Sequence, residues 1–309
     1  MRKPPQAALW CLFGVLGACR DADGRAVTQQ VLPPLRDAVV AGRLTDPELV
    51  EASGLTESPI EPGVFWAQND SGNDERLFAF DSTGRALGSV FVSGAKNRDW
   101  EALTHGPCPQ GTCLYIGDVG DNAAVRNDVR LWRVPTPRAA DRVVGGVTRL
   151  VFRYPDGAHD VESIWVAPDT AVYLLTKRPE SDGAGAPRSV RIYRLPPTAW
   201  SATEPVVATL FDSLPIVPQR GDGLGWVTDA ALSAADSTGA RRLAVRTYRD
   251  VAVFRIEPGS YRPSTLVGHC SLAGIKEGRS GEGITWLADG RLMFDAEGER
   301  ARVHTGRCP

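Results

Sequence analysis

Asp99-Trp100-Glu101-Ala102-Leu103-Thr104 and Asp160-Val161-Glu162-Ser163-Ile164-Trp165 decide the fold, because the same carboxylate-apolar-carboxylate start opens two strand-like runs far apart in the chain. Three more runs fit the frame: Glu51 to Thr56, Thr228 to Ser233 and Gly281 to Trp286. A second, apolar run follows each, at Val64 to Ala67, Cys113 to Ile116, Ala171 to Leu175, Arg242 to Val245 and Arg291 to Phe294. Third runs lie at Leu77 to Phe80, Val129 to Val134, Val190 to Leu195, Val251 to Ile256 and Ala301 to His304. Fourth runs lie at Leu87 to Val92, Thr148 to Tyr154, Val206 to Phe211 and Ser264 to Cys270, and the fifth unit has none.

Four short strands returning every ~45 to 67 residues are the sequence form of a propeller blade. The expected class is all-β: a β-propeller of five four-stranded blades, or six if a degenerate blade sits between the second and fourth units. Residues near 36 to 44 would supply the missing strand and close the ring. A two-sheet sandwich gives no reason for an acidic first strand to recur. The 32 Gly and 23 Pro among 309 residues suit the many turns. A formal charge of -2 offers no bulk attraction for nucleic acid.

Residues 1 to 18 read as a signal peptide, with Arg2 and Lys3 before the apolar run Ala7 to Ala18. The ending Leu16-Gly17-Ala18-Cys19 resembles the bacterial lipoprotein lipobox, which implies lipidation of Cys19. An ordinary signal peptide cut near Ala18 is the alternative. The expected organisation is a signal at 1 to 18, a tether and closing strand at 19 to 45, and one propeller domain at 46 to 309. Such a chain would sit on a membrane by its lipid, in the cell envelope, facing the periplasm from the outer membrane of a Gram-negative cell. No later stretch reaches the ~18 apolar residues of a spanning helix.

Of the remaining cysteines, Cys108 with Cys113 and Cys270 with Cys308 is the expected pairing, since an exported chain favours disulfides and the first pair is separated only by Pro109-Gln110-Gly111-Thr112. A zinc site is the weaker competitor, because no second close pair or nearby His accompanies Cys108 and Cys113.

First strands of blades line a central channel, so Asp99, Glu101, Asp160, Glu162, Asp229 and Glu282 converge on one axis. Such carboxylates repel unless a cation sits among them, and oxygen ligands from several strands suit Ca²⁺. Alternation along a strand places both acids of each Asp-x-Glu pair on one face. Turns after the second strands add candidate ligand-binding residues Asn69, Asp70, Asp118, Asp121, Asn122, Arg178 and Arg246. Two plainer readings stand beside this: Asx turns that bond their own backbone, and a structural ring in which arginines neutralise the acids.

Asn69-Asp70-Ser71-Gly72, Asn97 to Glu101, Gly117-Asp118-Val119-Gly120-Asp121-Asn122 and Gly281-Glu282-Gly283 resemble a group of exported bacterial propellers. That group is similar to the SdiA-regulated and phytase-like esterase propellers, and more distantly to calcium-dependent lactonase propellers. The resemblance implies an axial Ca²⁺, for which Glu101, Glu162, Asp229 and Glu282 are the matching positions, in an order that departs from the lactonase pattern.

Other chemistry finds little support. Gly278-Arg279-Ser280-Gly281-Glu282 misses the nucleophile elbow at its fifth position, and Gly221-Asp222-Gly223-Leu224-Gly225 lacks dinucleotide-loop spacing. His159 beside Asp160 is the one histidine placed at the expected channel, a candidate general base. Trp66, Trp100, Trp165, Trp226 and Trp286 recur near inner strands, as interblade packing or as a stacking platform for a glycan. The expected function is a monomeric, lipid-anchored propeller binding a divalent cation and a small or anionic ligand. The alternatives are a Ca²⁺-dependent hydrolase of ester, lactone or phosphoester bonds and a protein-interaction scaffold.

Overall fold

Val129-Arg130-Leu131-Trp132-Arg133-Val134 shows why the strands form: Val129, Leu131, Trp132 and Val134 are buried while the two arginines are partly exposed, as a half-buried pleated surface requires. The computed structural model describes residues 19–20, 26–27, 31–180, 189–215, 224–275 and 280–309. The chain divides into two units, Met1–Pro33 and Pro34–Pro309. In the first, Cys19–Arg20 pairs antiparallel with Ala26–Val27. The signal segment 1–18, Gly221 to Gly223 and Gly278 lie outside the described residues.

The second unit is a β-propeller of five blades. Blade 1 runs outward through Ala52–Glu57, Val64–Asn69, Arg76–Asp81 and Ala86–Val92. Blade 2 uses Trp100–Cys108, Gly111–Asp118, Val129–Pro135 and Thr148–Arg153. Blade 3 uses Val161–Val166, Val172–Thr176, Val190–Leu195 and Thr209–Leu214. Blade 4 uses Val227–Leu232, Arg241–Thr247, Asp250–Ile256 and Pro263–Ser271. Blade 5 uses Ile284–Trp286, Leu292–Phe294 and Arg302–Arg307, completed by Arg36–Arg43. That last pairing sets Val39 against Thr305 and Val40 against His304, so the ring closes with an N-terminal strand as expected.

Five clusters of buried apolar side chains each draw on two neighbouring blades, which explains how short sheets become one body. Trp66, Trp100 and Trp165 are fully buried there. The stretch expected as one run from Val206 to Phe211 divides. Val206–Val207 lies parallel on Thr148–Arg153 of the preceding blade, and Thr209–Leu214 completes blade 3. Val143–Val144 covers the edge of blade 1 in the same way, so two outer edges are shielded by the following connection.

Disulfides join Cys108 to Cys113 and Cys270 to Cys308, with Cα separations of 5.8 and 5.5 Å. The first clips the inner hairpin of blade 2. The second ties the end of the chain, just after the blade 5 strand that pairs with Arg36–Arg43, to the outer strand of blade 4.

Inner strands share a defect that alternation does not foresee. Pairing with the second strand skips one residue at Gly54, Glu101, Glu162 and Thr228, always at the same height. A bulge re-aims the side chain it carries. Glu101 and Glu162 occupy that position, so their side chains do not follow the plain period of two.

Candidate metal centre

The starts of the inner strands and the turns after the second strands meet at one mouth of the channel. There the carboxylates fall into distinct groups. Asp70, Asp99 and Glu101 each offer an oxygen, and the three oxygens lie within 4.8 Å of one another. Asp70 comes from the turn of blade 1, and the other two from the start of blade 2. Glu101 is buried, whereas Asp70 and Asp99 are half-buried and reach solvent. Among the described residues no Lys or Arg forms an ion pair with any of the three. Glu101 Oε2 accepts a hydrogen bond of 3.1 Å from Ser53 Oγ. Burial and the neighbouring Asp70 carboxylate push Asp99 up to about 6. Burial, then Glu162 and Asp70, raises Glu101.

The backbone makes room for this group. A Cβ on Gly120 would fall 2.6 Å from Asp99 Cγ and 2.6 Å from Glu101 Cγ, so only glycine fits against the pair.

In the neighbouring blade, Lys177 donates to Glu162 Oε1, both side chains being buried. Burial opposes the lysine charge, but Glu162, Tyr248 and Glu101 together outweigh it and raise its pKa. Burial and Glu297 raise Glu282, whose Oε2 is buried without a hydrogen-bond partner among the described residues.

The remaining sequence candidates are engaged in bonds of the frame, some between blades and some within one. Asp160 Oδ1 accepts from the Asp121 N–H at 2.9 Å, and its Oδ2 lies 3.4 Å from Arg178 Nη2. Arg178 also donates to the Asn122 carbonyl at 3.1 Å and stacks over Trp226. Asp118 is fully buried and accepts from Arg126 at 2.8 Å. Asn69 accepts from the Glu51 N–H and donates to the Glu48 carbonyl. Asp229 accepts from the N–H groups of Ala230 and Ile284, and buried Arg246 donates to the carbonyls of Gly283 and Asp295. His159 is engaged through Nδ1 by Glu180 at 2.9 Å and through Nε2 by Asp156 at 3.1 Å and Tyr193 at 2.7 Å.

The structure therefore brings oxygens of Asp99 and Glu101 within 4.8 Å of Asp70, while Glu162 and Glu282 remain close enough to act on Glu101 through their charge and Asp160 acts on Asp99. Arg126, which also supports the Gly120 carbonyl at 2.7 Å, was not visible in the sequence because the run Asn122 to Asp128 has no periodicity. Ser53, Tyr248 and Glu297 were missed too. Only their place in the repeat, next to residues already singled out, could have flagged them.

No family model and no curated protein matches the chain. Among solved structures, a glucose dehydrogenase aligns over 88% of this chain and 99% of its own, at TM-score 0.50 and 10% identity. The soluble aldose sugar dehydrogenase of Escherichia coli aligns over 88% and 99%, at TM-score 0.49 and 10% identity. The PQQ domain of pyranose dehydrogenase from Coprinopsis cinerea aligns over 94% and 87%, at 0.45 and 12%. At such identities the likeness concerns the fold alone.

Proposed function

We propose that this protein is an exported, lipid-anchored propeller that holds a divalent cation between Asp70, Asp99 and Glu101 and presents it to a small anionic ligand at the channel mouth. One observation carries the reading: three carboxylates crowd within 4.8 Å and, among the described residues, none of them forms an ion pair with a Lys or Arg, while Asp118, Asp160 and Glu162 each do. Three negative charges so close are costly unless a cation is shared. An all-carboxylate donor set suits Ca²⁺ or Mg²⁺ and not a thiolate- or imidazole-seeking metal. Because Asp70 and Asp99 reach solvent, a cation there meets both protein and ligand.

Calorimetric titration of the metal-stripped protein with Ca²⁺ tests this. Saturable binding that disappears in Asp99→Asn is expected, and no binding at millimolar Ca²⁺ overturns it. The hydrolase reading draws on the solvent-open position of the acidic site, where a bound cation could polarise a substrate oxygen. An ester, lactone and phosphoester panel separates enzyme from binder. Envelope anchoring rests on the lipobox-like Leu16 to Cys19, and palmitate labelling that survives Cys19→Ser contradicts it.

A further inference from the structure

The opposite mouth of the channel holds a cavity of about 800 Å³, far from the acidic triad along every inner strand. All five inner strands or the residues just after them line it. A cavity of that size takes a small organic molecule.

Its polar groups are unequally engaged. Asp236 on the rim is tied to its own turn through Oδ1, which accepts from the N–H groups of Thr238 and Ala240 and from the Thr238 hydroxyl. Glu57 accepts from the Gly63 N–H. Arg241 is anchored by one nitrogen, Nη1, on the Ser233 carbonyl at 2.8 Å, which leaves the rest of its fork of donors. His105 Nδ1 lies 2.8 Å from Thr56 Oγ1, and among the described residues its Nε2 has no hydrogen-bond partner. Burial and the nearby Arg241 charge lower the His105 pKa, so the ring is neutral. In the tautomer whose Nδ1 accepts from the Thr56 hydroxyl, Nε2 carries the proton and can donate. Trp286, Leu232 and Val166 supply apolar wall, and Trp286 is held by its Nε1–H on the Ala231 carbonyl at 3.0 Å.

We propose that this cavity binds a small organic carboxylate, with the carboxylate on Arg241 and His105 and the apolar body against Trp286 and Leu232. A guanidinium with donors to spare beside a neutral imidazole matches a carboxylate. The apolar wall favours a hydrocarbon body over a sugar or a phosphate. The rim is preformed: a Cβ on Gly106 would come 2.6 Å from Val166 Cβ, and the disulfide Cys108–Cys113 clips the hairpin carrying Pro107 and Thr112.

The test is calorimetry with phenylacetate and its neutral isostere phenylacetamide on the full folded protein. Phenylacetate is expected to bind saturably, phenylacetamide about tenfold or more weakly, and Arg241→Gln to lose about tenfold in phenylacetate affinity. Glu101→Gln, at the other mouth, should bind phenylacetate as wild type does. Should Arg241→Gln fail to fold, the imidazole proton resonances of wild type decide. The sequence has 4 histidines, His105→Gln assigns one signal, and phenylacetate must shift that signal. Equal binding of acid and amide, no binding of either at millimolar concentration, or binding that leaves His105 unmoved overturns the proposal.

Discussion

Gly120 packs against Asp99 so closely that a single added methyl group would overlap the carboxyl carbon, 2.6 Å away. Gly120→Ala should therefore swing Asp99 and Glu101 out of register. Their side chains can move, so the stability cost is small, about 1 kcal/mol. Ca²⁺ affinity should fall about tenfold or more. Paired calorimetry and urea unfolding on the same samples check this, and unchanged affinity in a folded variant contradicts it.

Lys177 and Glu162 form a buried pair with side chains 10% and 2% exposed. Lys177→Met strands a buried carboxylate and should cost about 3–5 kcal/mol. Adding Glu162→Gln removes that charge and should restore most of the loss. Denaturant unfolding of both variants is the measurement, and a double variant no more stable than the single one argues against the pairing.

Asp295 is fully buried and pushed up to about 7, because burial outweighs the Arg246 charge and the Gly283 N–H it accepts. Its folded pKa exceeds the unfolded one, so between about pH 4 and 7 the folded state holds a proton that the unfolded chain has lost. Stability of the metal-stripped protein must then fall as pH rises through that window. Asp295→Asn should flatten the profile by the share of one proton. Identical slopes in the two proteins would show that Asp295 does not titrate there.

The two disulfides close loops of different length, with sequence separations of 5 and 38. Loop-entropy arguments assign about 2 kcal/mol to the first and about 4 to the second. Cys308→Ser with Cys270→Ser should lower the unfolding midpoint more than Cys108→Ser with Cys113→Ser. The reverse order would mean that the blade 2 hairpin, and not the tie at the end of the chain, limits stability.

The repeat was legible because Asp99-Trp100-Glu101 and Asp160-Val161-Glu162 mark a position the ring geometry uses in every blade. The disulfide pairing and the closing strand were legible as well, from cysteine spacing and from a blade left one strand short. The sorting of the acids was not. Alternation treats Glu101 and Glu162 alike, yet the bulge leaves one beside Asp70 from the previous blade and the other on Lys177. That outcome depends on which blade stands next, which no local pattern encodes. Asp70 read as a turn residue because its own segment, Asn69 to Gly72, has turn chemistry regardless of what lies across the channel. The cavity at the far mouth was invisible for a similar reason. Inner strands end in unrelated residues such as His105, Val166 and Leu232, so no motif recurs there.

Arg36–Arg43 finds its partner in Arg302–Arg307, so the earliest strand of the propeller waits for the latest. Contacts between such distant parts of a chain form slowly. Until they form, blade 5 presents bare edges on which another chain can pair. The closing strand thus acts as a completeness check. An interrupted chain has no closed ring, and assembly ends in one event that the Cys270–Cys308 bond can then seal.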